Sequence, residues 1–341
     1  MLNLDVDDST VYFKQHRFFN PLVIMKKLTI LVLILLPLFG FTQANKFIRK
    51  GQRATDPQEK ISLFSEAIKL EPENLDAYFY RGVTRDNIGD HNGAIMDYTK
   101  VIFFSPSADV YFNRGNSKYS LMDYFGAKED FEKAIELDTS FIQAKYSLAV
   151  TKFNLEDYES AILDLKKMNP KTPNILMLLG QSYEALDDFK NALLSYTSAV
   201  LNSPDTQTFY ARGQFYMGIN YYKNANEDFT MSASLDNTNV PAFFFTAVSY
   251  YFLGEFDQAL NYFSQVYKYD ATDIDAAIGL ALTYYHLKDL PNTKLYFQKA
   301  KNLLKESALD EDDGINLFKD TYWFQKQQYA LKKDFETLNN L

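Results

Sequence analysis

Between Leu75 and Ser307, apolar residues recur at helical spacing in short stretches, and polar breaks divide each pair of stretches: Gly89-Asp90, Glu156-Asp157, Asp187-Asp188 and Gly254-Glu255. This pattern predicts antiparallel helix pairs joined by tight turns. Within each pair a small residue is followed 12 positions later by a second small residue, and four further on by a large apolar one. Seven such triplets occur: Gly82/Ala94/Tyr98, Gly115/Ala127/Phe131, Ala149/Ala161/Leu165, Gly180/Ala192/Tyr196, Gly213/Ala225/Phe229, Ala247/Ala259/Phe263 and Ala281/Thr293/Phe297. Successive first members lie 33, 34, 31, 33, 34 and 34 residues apart. A period near 34 marks a helical-hairpin solenoid, which grows by stacking units and needs no second core.

If the first small residue is position 8 of a unit, the second falls at 20 and the large residue at 24. Units then start near Leu75, Ala108, Ile142, Pro173, Thr206, Val240 and Ile274, with an upstream unit marked by Phe64, Ala67 and Pro72 and a short first helix, Asn45 to Arg53. Positions 8 and 20 face each other across the hairpin, so Gly and Ala there admit close helix approach while the aromatic at 24 fills the adjacent gap. Position 7 is Arg in three units (Arg81, Arg114, Arg212), and each of these has Asp at position 23: Asp97, Asp130 and Asp228. Positions 7 and 23 are level across the turn, which suits an Arg–carboxylate pair. A row of exposed arginines could instead bind anions, but here each has a partner in its own unit. The unit 142–172 is three residues short, and Pro170 must end its second helix.

These anchors together resemble the tetratricopeptide repeat family: Gly/Ala at 8, Tyr at 11 (Tyr183, Tyr250, Tyr284), Ala at 20, an aromatic at 24, Ala at 27 (Ala67, Ala134, Ala199, Ala300) and Pro at 32 (Pro72, Pro106, Pro204). Departures are the missing Trp at position 4, Arg85 at an aromatic position and Thr293 in place of Ala. The resemblance implies an all-α, right-handed α-solenoid of antiparallel helix pairs, a TPR superhelix. About eight units are expected over 45–307: 45–74, 75–107, 108–141, 142–172, 173–205, 206–239, 240–273 and 274–307.

In that family positions 2, 5, 9 and 12 of each first helix line the inner wall. Carried over, the resemblance implies a partner-binding groove of Phe79, Phe112, Asn116, Tyr119, Tyr146, Phe153, Tyr210, Gln214, Phe244, Tyr251 and Tyr285. It is aromatic, dotted with amides and nearly free of Lys and Arg. Members that grip a chaperone's C-terminal carboxylate resemble one another in carrying Lys at 5 and Asn at 9; only Asn116 matches. An aromatic groove suits an extended or helical protein segment with apolar anchors. Alternatively, several of these rings pack against the neighbouring unit.

The chain has 341 residues and a net charge of −9, of which residues 45–341 carry about −10. An acidic body without a basic stripe argues against nucleic acid or anionic lipid as partner. There is no cysteine, and His16, His91 and His286 fall at no metal-ligand spacing, so neither a cofactor nor an enzyme activity is expected. Met25-Lys26-Lys27, the apolar run Leu28–Phe41 and Thr42-Gln43-Ala44 read as a secretory signal cleaved after Ala44, with an uncleaved anchor or a buried helix as alternatives. Residues 1–24 then read as an upstream leader, with translation starting at Met25. The expected place is the bacterial periplasm or outside the cell, with no membrane span in the mature chain.

After Ser307 come an acidic linker (Asp310 to Asp313, Gly314) and a helical stretch from Ile315 to about Leu338. That stretch, with Trp323, is expected to cap the open end of the stack or to bind a partner. The leading expectation is a non-catalytic protein-binding scaffold of the bacterial envelope. The others are an assembly component acting through its outer face or C-terminal helix, and a glycan-binding module or enzyme.

Overall fold

The computed structural model describes residues 43–307, 318–326, 334, 337 and 338. Among these, every regular element is a helix. After α1 (43–53) and α2 (Pro57–Leu70), helices alternate as first and second members of pairs. The pairs are α3 (Leu75–Asn87) with α4 (His91–Phe104), α5 (Ala108–Ser120) with α6 (Tyr124–Leu137), and α7 (Ile142–Asn154) with α8 (Tyr158–Lys167). They continue with α9 (Pro173–Ala185) and α10 (Phe189–Asn202), α11 (Thr206–Gly218) and α12 (Tyr222–Leu235), α13 (Val240–Leu253) and α14 (Phe256–Tyr269), and α15 (Ile274–His286) and α16 (Leu290–Ser307). A short α17 (Tyr322–Lys326) follows. The fold class is all-α, built of antiparallel helix pairs.

Contacts divide the chain after Ala144, within α7. In the first unit α2 packs on α3 and α4 on α5; in the second, α8 packs on α9, α10 on α11, α12 on α13 and α14 on α15. First helices of neighbouring pairs also touch, α3 with α5 in the first unit, α9 with α11 and α13 with α15 in the second.

Local chemistry starts and stops each helix. Asn74, Asp205, Asn239 and Asp273 accept the N3 amide of the first helices, and Asp90, Asp123 and Asp188 do so for the second helices. At each turn the position-16 amide donates to the position-11 carbonyl, as in Asp90 to Arg85 (2.9 Å), Asp157 to Lys152 (2.9 Å) and Asp289 to Tyr284 (2.9 Å). This 6→1 bond closes a Schellman motif and places position 15 in the left-handed region. Position 15 has φ of 83° at Gly89 and 77° at Gly254, but also 61° at Met122, 60° at Glu156 and 61° at Lys288.

In the four hairpins with Gly at position 8, that glycine faces the ring of position 24. A Cβ on Gly115 would lie 2.8 Å from Phe131, and one on Gly213 would lie 2.8 Å from Phe229. Both rings, with Ala127 and Ala225, are buried. In the short unit α8 stops at Lys167, and Lys171 Nζ donates to the carbonyls of Leu165 and Lys166 at 2.9 and 2.8 Å, and to that of Met168.

The expected helix from Ile315 to Leu338 is not continuous. Phe318 to Thr321 forms a turn in which the Thr321 amide donates to the Phe318 carbonyl (2.9 Å), and a new helix starts at Tyr322. The first helix already includes Gln43 and Ala44, ahead of the expected Asn45, and Ala44 is buried beside Ile48, Phe64 and Ala67. Cleavage after Ala44 would remove that methyl group from the cluster. The leader, most of the signal segment and the acidic linker lie outside the described residues. Among the described residues no helix is long and apolar enough to cross a membrane.

Position 15 and position 8 respond oppositely to substitution. Glu156→Gly and Lys288→Gly relieve a left-handed side chain and are expected to raise stability by about 0.5–1 kcal/mol. Gly115→Ala forces a methyl onto a buried ring and is expected to lower it by about 1–3 kcal/mol. Thermal denaturation followed by circular dichroism reads both signs.

Candidate partner-binding wall

Three hairpins hold a buried Arg–Asp pair between positions 7 and 23. Arg81 donates through Nε and Nη2 to Asp97 at 2.9 and 2.6 Å, Arg114 to Asp130 at 2.8 and 2.7 Å, and Arg212 to Asp228 at 2.8 and 2.8 Å. The three carboxylates are buried. Such bidentate pairs are directional as well as strong, and they push the Arg114 and Arg212 guanidinium pKa further up. Arg81 Nη1 and Arg114 Nη1 also reach the preceding second helix, at Ser65 (3.1 Å) and Thr99 (3.0 Å).

Sequence reasoning missed a second partner at position 11. Arg85 reaches Asp97 (2.9 Å), Lys118 reaches Asp130 (2.9 Å), and Lys152 reaches Asp164 (2.5 Å). Where position 11 is Tyr and 23 is Tyr, the rings stack instead: Tyr250 on Tyr262 at 5.7 Å, and Tyr284 on Tyr296 at 5.6 Å. The signal was the joint change of positions 11 and 23, from basic and Asp to Tyr and Tyr.

With the basic groups turned into the hairpins, the remaining side chains of the first helices set the character of the wall. In the first unit Phe79, Phe112, Asn116 and Tyr119 are half-buried. Phe112 rests on Phe131 and Phe141 at centroid distances of 5.8 and 4.8 Å, and Tyr119 on Tyr124 at 5.3 Å. In the second unit Tyr146, Phe153, Tyr210, Gln214 and Tyr285 are half-buried. Tyr210 rests on Phe229 (5.6 Å), and its hydroxyl accepts from Gln214 Nε2 (3.0 Å). Position 12 leans on the aromatic five residues on, in Tyr119–Tyr124, Phe153–Tyr158 and Tyr251–Phe256. Tyr119 and Phe153 lean on the turns in this way and stay half-buried.

Phe244 and Tyr251, expected on the open wall, are 9% and 6% exposed. The reason is the C-terminal segment, which lies on α13 and α15. Trp323 is fully buried, with ring contacts to Tyr251 (5.4 Å), Phe263 (5.7 Å) and Phe244 (6.4 Å). Tyr322 meets Phe245 (5.4 Å) and Phe244 (5.6 Å) edge-on, and Phe318 stacks on Phe297 at 5.3 Å. Asp275, at position 2, accepts the Tyr322 amide on Oδ1 (3.0 Å), and its carbonyl accepts the Trp323 indole N–H (2.8 Å). The Tyr251 hydroxyl lies 3.0 Å from His286 Nε2 and 3.5 Å from Asp334 Oδ2.

Burial, and next the charge of Asp273, push the Asp275 carboxyl from 3.8 up to about 6. Burial likewise raises the Tyr322 phenol, with Tyr222, Asp275 and Tyr210 facing it. Among the described residues, no group of three or more His, Asp or Glu is placed to hold a metal ion.

Family models described as tetratricopeptide repeat match residues 108–141, 173–206 and 246–301. A tetratricopeptide repeat protein from Parabacteroides merdae ATCC 43184 superposes with a TM-score of 0.57 at 15% identity, covering 71% of this chain and 99% of that one. Yeast Tom70 superposes with a TM-score of 0.51 at 17% identity, covering 76% of this chain and 60% of that one. The Cut9–Hcn1 hetero-tetramer of the APC/C gives a TM-score of 0.49 at 15% identity; 75% of this chain is covered, and the chain spans about half, 51%, of that protein. No curated protein matches the sequence. Tetratricopeptide repeats are therefore present in the chain, and its fold is that of an all-α TPR protein. Such folds serve as scaffolds that bind other proteins.

Two expectations follow. Arg212→Met leaves buried Asp228 without a second cation, since position 11 there is Tyr216, whereas Arg114→Met leaves Lys118 on Asp130. Breaking a buried pair costs about 3–5 kcal/mol, so Arg212→Met should lower the urea midpoint clearly more than Arg114→Met. The raised Asp275 pKa favours the protonated carboxyl in the folded state. Its contribution is complete below about pH 3.8 and is lost as pH rises through about 6. From about pH 5.5 to about pH 8 the C-terminal segment should loosen by roughly 1 kcal/mol, read as a red shift of Trp323 emission during mild urea titration. Asp275→Asn should flatten that dependence.

Proposed function

We propose that this protein is a non-catalytic scaffold that, in each of its two units, holds protein or peptide segments on the aromatic side chains of the first helices. The observation that carries this reading is the half-buried state of Phe79 and Phe112 in the first unit, and of Tyr146, Phe153 and Tyr210 in the second. Phe79, Phe112 and Tyr210 each rest on the position-24 ring of their own hairpin and keep part of their surface exposed. Rigid aromatic anchors of this kind bind segments at low entropic cost. With Arg81, Arg114 and Arg212 committed to carboxylates, apolar anchors rather than acidic groups suit the wall. The sequence pattern of residues 25–44 supports an envelope location, periplasmic or secreted.

A second reading, assembly through the outer face, is favoured by exposed apolar side chains on second helices, among them Met96, Phe103, Leu194 and Leu201. A crosslinking pull-down from envelope extract with the full chain separates the two. Under the wall reading, a partner captured by the native chain is lost with Phe112→Ala/Tyr146→Ala/Tyr210→Ala at unchanged helicity. Equal capture by both chains moves the interaction to the outer face.

A further inference from the structure

The wall of the last two helix pairs is already occupied. In earlier pairs Val83 and Val150, at position 9, are half-buried; the equivalent Val248 and Leu282 are fully buried, in one cluster with Phe318, Trp323 and Leu338. The occupant makes the contacts of a bound peptide. Two adjacent rings insert between α13 and α15, one main-chain amide is received by a side-chain carboxylate, and the indole N–H is received by a backbone carbonyl. Among the described residues, the helix that carries the two rings is Tyr322–Lys326.

We propose that the wall of α13 and α15 is a binding site for a peptide bearing two adjacent aromatic residues. The chain's own Phe318–Lys326 fills it in cis, and a partner peptide of the same chemistry enters by displacing that segment. This rests on the reading of the inner wall as a segment-binding surface and names the ligand its last part takes.

Three features make the occupant exchangeable. First, the two rings are tied to Asp275 by one main-chain amide and one indole N–H, and Asp334 lies 3.3 Å from His286 and 3.5 Å from the Tyr251 hydroxyl. Second, Asp275 is held in a mostly buried position with another carboxylate, Asp273, beside it, so docking at neutral pH works against a buried charge. Third, only ten residues separate Ser307 from Phe318. A tether of that length gives a segment a millimolar-range effective concentration, on the order of 1 mM. Occupancy in cis is then high without a tight intrinsic site, and a free peptide must outcompete it. Removing the rings of the segment while leaving the wall intact opens the site.

The probe is a fluorescein-labelled peptide of residues 318–338, titrated into the native full chain and into a full-length Trp323→Ala/Tyr322→Ala chain. The expected result is binding to the variant at least about tenfold tighter than to the native chain, abolished when Phe244→Ala is added. Equal affinity for the two chains, or no binding to a variant with native far-UV dichroism, overturns the proposal. If the variant loses its helicity, the native chain decides. Trp323 is the only tryptophan, so an unlabelled peptide carrying Trp323→Phe must red-shift its emission saturably, and an unchanged spectrum overturns the proposal. Partner capture that depends on Phe112 and Tyr210 but is insensitive to the peptide overturns this inference and leaves the scaffold reading standing.

Discussion

Close contact between the ring at position 24 and the small residue at position 8 is the constraint on which the hairpins depend. Phe131 and Phe229 pack into the space that a Cβ on Gly115 or Gly213 would take. Near-crystalline packing leaves no slack to absorb a methyl group. Once that distance is set, the other positions of the hairpin are set with it. Positions 7, 11 and 23 are brought level, the turn is compressed into a Schellman motif, and position 15 is driven into the left-handed region whatever residue stands there.

The levelled positions then divide the labour of holding the hairpin along the chain. In the earlier pairs a buried Asp draws basic side chains inward, as Asp97 draws Arg81 and Arg85. In the last two pairs stacked tyrosines replace the charges. Both solutions tie position 11 to position 23 across the hairpin. They differ in what happens when a partner is lost, because an orphaned buried carboxylate is far more damaging than an unstacked ring.

The C-terminal segment closes the stack and also lies on its wall. An exposed end face in a stacked array needs a cover, and Phe318 on Phe297 supplies one. Tyr322 and Trp323 go beyond the end face onto α13, where they meet rings that earlier pairs leave half-open. The cover thus shares its contact surface with the wall proposed to bind a partner.

Fold class was legible in the sequence alone, because a solenoid repeats one short-range contact and so prints its period and its small–small–large triplets along the chain. Polar breaks such as Gly89-Asp90 and capping residues such as Asn74 and Asp205 likewise act within a few residues of themselves. The companion role of Lys118 and Lys152 was only half-legible, since it lay in the joint variation of two positions read separately. Which wall aromatics stay open could not be read at all. Phe112 and Phe244 occupy the same position with the same residue, and they differ because residues some 75–80 positions downstream fold back on one of them. A unit's internal register is a local property of its residues. The covering of its surface is decided by chain far away in sequence, and only the tertiary structure shows it.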